Sequence, residues 1–128
     1  MEQKNVAGPV VFQMAYDLTL WYAEHTTKFP KGYRFTLADR IQEVLFDLLA
    51  ALQEAAYKRE PRSALEGAQE CVDRLRLWNR LSKNLGCLNQ RQYSFASKQI
   101  EEIGKQIGGW SRMQRRNRQG DRDVPATA

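Results

Sequence analysis

Between residues 93 and 110 the side chains of Tyr93, Ala96, Ile100, Ile103, Ile107 and Trp110 recur at steps of three and four without a break. A helix turns once every ~3.6 residues, so this spacing lines all six along one face, whereas the two-residue period of a strand would scatter them over both. A stripe that is apolar along its whole length has to be buried against other stripes. Three more segments supply them. Val11, Met14, Leu18, Trp21 and His25 predict a first helix from about Pro9 to Thr26. Ile41, Val44, Leu45, Leu48, Leu52 and Ala55 mark a second, and Cys71, Leu75, Trp78, Ser82 and Leu85 a third.

Punctuation between the stripes supports the same division. The stretch KFPKGYRF reads as the loop that ends the first helix. Thr36 with Asp39 predicts a capping box at the start of the second, in which the carboxylate reaches back to the cap's N–H. Pro61 removes a helix hydrogen bond and ends it, and Ser63 with Glu66 repeats the capping signature at once. Gly86 stands where the third helix has to stop, and Asn89 with Gln92 caps the fourth. Four helices on short connections predict an all-α fold, an antiparallel up-down four-helix bundle over residues 1–113. After Met113 apolar residues almost vanish and Gly, Asp and Pro interrupt any period, so residues 114–128 read as a basic, disordered tail.

Composition excludes several kinds of chemistry. No apolar stretch approaches the ~20 residues that span a bilayer, and no signal-peptide pattern opens the chain. Cys71 and Cys87 lie sixteen positions apart on one helix and its end, roughly 24 Å at helical rise, too far for a disulfide. With His25 the only histidine, these thiols form no metal-ligand cluster and read as structural cysteines of a reducing, cytoplasmic environment. No nucleophile motif and no glycine-rich phosphate loop is present, because Gly104, Gly108 and Gly109 fall inside the fourth helix. The expectation is a protein with no catalytic residue, no metal and no cofactor.

Charge separates the two halves. Residues 1–60 carry 7 basic and 8 acidic side chains, residues 61–128 carry 13 and 7, so the whole excess of the +5 chain lies in the second half. On the third helix Arg76, Arg80 and Lys83 stand at i, i+4 and i+7, one line of like charge that an external anion would relieve, with Arg74 close by. Asp73 and neighbouring acids offer the alternative, a solvated face. Arg112, Arg115, Arg116 and Arg118 extend the basic character into the end of the chain, where arginine's planar fork suits phosphate and a solubility tail suits equally well. Leu65, Val72, Leu77 and Leu81 give the third helix more apolar surface than one stripe requires; a partner protein or a loop or tail folded over it would serve, but subunit contact in a homo-oligomer is the favoured reading. Gly104 and Gly108, four apart beside the isoleucine stripe, predict a small-residue groove where a neighbouring helix approaches closely.

Two stretches, KFPKGYRFTLADRIQ followed by LLAALQEAAYKR, and LRLWNRL followed by QYSFASKQIEEIGKQIGGW, resemble the Avd family, the accessory variability determinants of diversity-generating retroelements. The resemblance spans about residues 10 to 113 and keeps all four helices in order. It implies a four-helix protomer in a ring-like homopentamer that associates with the retroelement's reverse transcriptase and its template RNA, with DNA as a further possibility, and that supports mutagenic copying without being a catalyst. The LRLWNR segment places Arg76 and Arg80 on the family's basic third helix, and the FPKGYRFTL loop matches at Phe29, Pro30, Lys31, Arg34, Phe35 and Leu37 with a structural role. Asn79 and Ser82 are polar where such a helix tends to be apolar, and the arginines after Met113 lie outside the match. Four-helix proteins encoded in ribosomal RNA intervening sequences share the architecture, and a structural oligomer whose basic face meets an acidic protein remains the other reading.

Overall fold

The computed structural model describes the backbone of residues 7–123 and the side chains of residues 8–117. Among the described residues all regular structure is helical: α1 (Ala7–Thr26), α2 (Lys31–Arg34), α3 (Leu37–Tyr57), α4 (Arg62–Asn84) and α5 (Gln90–Asp123). The four long helices form a bundle in which α1 and α4 each pack on both α3 and α5. Residues 58–61 and 85–89 are too short to do anything but reverse the chain, so α3, α4 and α5 are consecutive antiparallel neighbours.

The stripes of the second and fourth predicted helices are the buried faces of α3 and α5. Ile41, Leu45, Leu48, Leu52, Ala96, Ile100, Ile103, Ile107 and Trp110 are all almost inaccessible, and each large one withdrawn from water contributes about 1.5–3 kcal/mol. On α1 the buried line is Val11, Ala15, Leu18, Tyr22 and Thr26, rotated from the expected one so that Met14, Trp21 and His25 lie half-buried at its edge. On α4 it is Leu65, Ala68, Val72, Leu75, Asn79 and Ser82, with Cys71 beside them. Leu65 and Val72, expected to point elsewhere, are thus core residues. Leu77, Leu81 and Leu85 face outward.

Asn79 shows why α4 turns this way. Tyr22 Oη donates to Asn79 Oδ1 at 2.7 Å, and Asn79 Nδ2 donates to Ser97 Oγ at 3.0 Å and to the Tyr93 carbonyl at 3.4 Å. One amide therefore ties α1 to α4 and α4 to α5 across the bundle centre. Leaving such a buried group unpaired costs about 1–3 kcal/mol, so only a register that joins all three helices is acceptable.

Two of the expected caps do not form. Thr36 precedes α3, but its side chain makes no cap bond and its Oγ1 lies 3.5 Å from the Gly32 carbonyl of α2. The stretch read as a plain loop contains that one-turn helix, and the hydroxyl turns back to donate to it instead of accepting from an N–H of α3. Ser63 lies within α4, because the Pro61 carbonyl already accepts the Leu65 N–H at 2.9 Å and the helix begins at Arg62. The other two signals act as written. Gly86 takes φ +78°, and the bonds Gly86 N–H to Lys83 O and Cys87 N–H to Ser82 O close α4 in a Schellman motif. At α5 the Gln92 N–H donates to Asn89 Oδ1 at 2.8 Å and the Asn89 N–H to Gln92 Oε1 at 2.9 Å, a reciprocal box.

The basic end differs from its expected disorder. α5 continues ten residues past Met113, to Asp123, because Gln, Arg and Asn lengthen an existing helix without a new nucleus and no breaker intervenes before Gly120. The last five residues of the expected tail, 124–128, lie outside the described ones.

The glycine pair separates in the same way. A Cβ at Gly104 would meet Arg76 Nη2 at 3.1 Å and Val72 Cγ1 at 3.3 Å, both on α4 of the same bundle. At Gly108 it would meet only Arg112 Nη1 of its own helix, at 3.5 Å. The close approach expected of both positions therefore belongs to Gly104 and to the chain's own α4. Gly104→Leu is expected to lower the urea midpoint by the equivalent of about 1–3 kcal/mol through overpacking. Gly108→Ala should raise stability by about 0.5–1 kcal/mol through helix propensity, and Lys105→Leu should stay within about 0.5 kcal/mol. Equal effects at 104 and 108 would contradict this packing.

Candidate nucleic-acid interface

α4 and α5 run past each other in a register that can be followed contact by contact. Leu65 and Ser111 line one recess, Val72 faces Gly104, Arg76 meets Glu101, Asn79 meets Ser97, and Lys83 meets Tyr93. The polar members of this series make the seam a groove, lined by Arg76, Asn79, Arg80, Tyr93, Ser97 and Glu101.

Arg76 is the most committed cation in it. Its Nε donates to Glu101 Oε2 at 2.6 Å, its Nη2 to Glu101 Oε1 at 3.3 Å, and its Nη1 to Asp73 Oδ1 at 2.6 Å. The hydrogen bond from Arg76 holds the Glu101 carboxyl below the usual glutamate range, although its partial burial opposes this. The bonds to Glu101 likewise raise Arg76 further above the ordinary arginine value. The row Arg76, Arg80 and Lys83 is therefore not three unpartnered charges: Arg76 spends its charge on two acids, and Arg76, Asp73 and Glu101 together leave one negative charge beside Arg80 and Lys83.

Arg80 is exposed and makes no ion pair among the described residues. The Lys83 ammonium lies 5.0 Å from the centre of the Tyr93 ring. Arg74 is set apart, about 200° round α4 from Arg76, on the side where it and Asp47 act on Cys71. Arg112 lies beside Gly108 and Gly109, Arg115 shares a nook with Arg62, Glu66, Ser111 and Gln114, and Arg116 is exposed. These three belong to the opposite end of the bundle, roughly 28–35 Å along α5 from Tyr93. The structure brings Arg80 and Lys83 together; it does not join them to Arg74 or to the C-terminal arginines. Glu101 and Tyr93 were not among the expected site residues, since the partners they meet, Arg76 and Lys83, sit on another helix and no local spacing announces them.

A second surface lies between α2 and α4. Tyr33, Phe35, Leu37, Trp78, Leu81 and Leu85 line an open groove edged by Asp39, Arg40 and Glu43. Phe35 is 75 % exposed and Leu77, on the same outer side of α4, 56 %.

The remaining reactive side chains are occupied otherwise. His25 stacks on Trp21 with ring centres 3.9 Å apart, and its Nδ1 lies 2.7 Å from the Trp21 carbonyl. Burial pushes the Cys71 and Cys87 thiols up, which lowers their thiolate fraction. Among the described residues no group of three or more His, Cys, Asp or Glu is placed to hold a metal, and no helix is long and apolar enough to cross a membrane.

Because the Glu101 pKa is depressed in the folded state, its contribution to stability is present at neutral pH and lost as pH falls through and below the ordinary glutamate range. Both side chains are about half exposed, so solvent screening limits that contribution to roughly 1 kcal/mol or less. Urea melts of the parent and Glu101→Gln should therefore differ modestly at pH 7 and converge in acid. A gap that persists unchanged at pH 3 would show that the pair adds nothing through its charge.

A family model described as bAvd-like matches residues 10–114, most of the chain. No curated protein matches it significantly.

Proposed function

We propose, from the premise that the chain belongs to the bAvd-like family, that it is a non-enzymatic accessory protein of a diversity-generating retroelement, binding the reverse transcriptase and its template RNA. The observation that carries the nucleic-acid part is the α4–α5 groove, where Arg80 and Lys83 are exposed while Arg76 holds both nearest carboxylates, so that the one negative charge left over faces two positive ones. A polyanion entering there meets net positive charge and displaces no existing ion pair of Arg80. The C-terminal arginines supply a second basic region at the far end, suited to an extended RNA or DNA that crosses the bundle lengthwise.

Phosphate contacts release counterions, so binding weakens as salt rises, by about 0.7 in logarithmic slope for each phosphate neutralised on a single strand. Arg80→Ala with Lys83→Ala is expected to reduce that slope by about 1.4 and to weaken RNA binding at low salt, with α-helicity unchanged. Arg76→Ala is a poorer probe, because it frees Asp73 and Glu101 as well as removing a cation. No RNA binding by the parent at low salt would leave the alternative, a structural oligomer whose basic face meets an acidic protein.

The groove between α2 and α4 supports a homo-oligomer, for which a ring-like pentamer is the family's arrangement. Exposed Phe35, Leu77, Leu81 and Leu85 form the kind of patch that association removes from water. Sedimentation of the parent should give a species several times the 14.9 kDa chain, and Leu81→Asp should shift it toward the single chain. A parent that stays at one chain's mass at micromolar concentration would overturn the assembly.

A further inference from the structure

We infer that the nucleic acid is held at this groove as a single strand, with one base stacked on the ring of Tyr93; the inference rests on the nucleic-acid reading above. Tyr93 is half-buried in the first turn of α5 and borders two depressions at once. On one side it lines the seam with Asn79 and Arg80, and on the other it lines the outer face of α5 with Phe95 and Lys98. Ser97 also borders both. A strand passing from one depression to the other crosses the tyrosine.

The groups around that crossing fit a nucleotide. Arg80, Lys83 and Lys98 surround an aromatic surface, which is the combination that binds unpaired strands: phosphates on the cations and a base on the ring. Lys83 already lies over the ring at 5.0 Å, and an exposed cation–π contact is weak enough for a flexible ammonium to exchange it for a phosphate. Ser97 Oγ accepts from Asn79 and keeps its own O–H to donate. Of the acids nearby, Glu101 is held by Arg76, while Glu102, which accepts from the neutral Gln106 amide at 3.3 Å, keeps its charge and shares its depression with Lys98 and Lys105. A duplex keeps its base faces inside the stack, so it would meet the cations alone. An unpaired strand uses both.

Fluorescence anisotropy with a labelled oligouridylate and with an RNA duplex of equal length, at one salt concentration, tests this in the full chain. The parent should bind the single strand more tightly. Tyr93→Leu should weaken single-strand binding roughly tenfold and leave duplex binding unchanged, and Tyr93→Phe should retain the parent's preference. A 5-iodouridine oligonucleotide should photocrosslink to Tyr93 in the unaltered protein, which keeps the test open even if the leucine variant does not fold. Equal binding of both nucleic acids, equal loss for both in Tyr93→Leu, or crosslinks that map away from Tyr93 would overturn the stacking while salt-dependent binding kept the polyanion reading. Binding of neither at low salt would overturn both.

Discussion

The close approach of α4 to α5 at Gly104 is the contact on which the candidate nucleic-acid face depends. With no side chain at 104, Val72 and the Arg76 guanidinium come to the surface of α5, and only at that distance does Arg76 reach the Glu101 carboxylate with two nitrogens. The same spacing lets Asn79 reach Ser97 and Lys83 reach the Tyr93 ring. A bulkier residue at 104 would part the helices near the middle of the seam, and every later contact along it would lengthen. Glycine in a helix interior costs about 1 kcal/mol relative to alanine, and here that cost is offset by the contacts the approach permits.

Along that seam the polar residues do separate jobs. Asn79 has no role toward solvent: it satisfies Tyr22, Ser97 and a backbone carbonyl, and so selects the rotation of α4 that puts Leu65 and Val72 inside. Arg76 bonds both Asp73 and Glu101 and offsets one of their two charges. Arg80 and Lys83, about one and two turns further on, are exposed. The bundle therefore presents two unlike surfaces, a basic groove with an aromatic edge on the α5 side of α4 and an apolar groove with Phe35 on the α3 side. Surfaces so different in chemistry are the basis for proposing different occupants, nucleic acid for one and a second copy of the chain for the other.

Much of the fold was legible because its signals are local. The 3-4 spacing of Ile100, Ile103 and Ile107, the positive-φ glycine at 86 and the Asn89–Gln92 box each involve residues within a turn or two of one another, where geometry follows from covalent connectivity. Thr36 and Ser63 carried the same kind of signal and did not act on it. The Thr36 hydroxyl turns back to donate to the Gly32 carbonyl, and the bond from the Leu65 N–H to the Pro61 carbonyl starts the helix before Ser63. The ten residues after Met113 look unstructured by composition, yet a helix already formed extends through them because elongation is far easier than nucleation.

The sequence by itself determined that the chain is helical, where its four long helices lie and that its basic residues gather in the second half, because those follow from period, capping and composition. Only the tertiary structure decided which arginine is spent and which is available. Arg76, Arg80 and Lys83 look equivalent along one helix, and what separates them is Glu101, twenty-five positions from Arg76, and Tyr93, brought beside Lys83 by the packing of α5. A charge's usefulness to a ligand depends on what already neutralises it, and the neutralising group is set by which helices meet and at what distance.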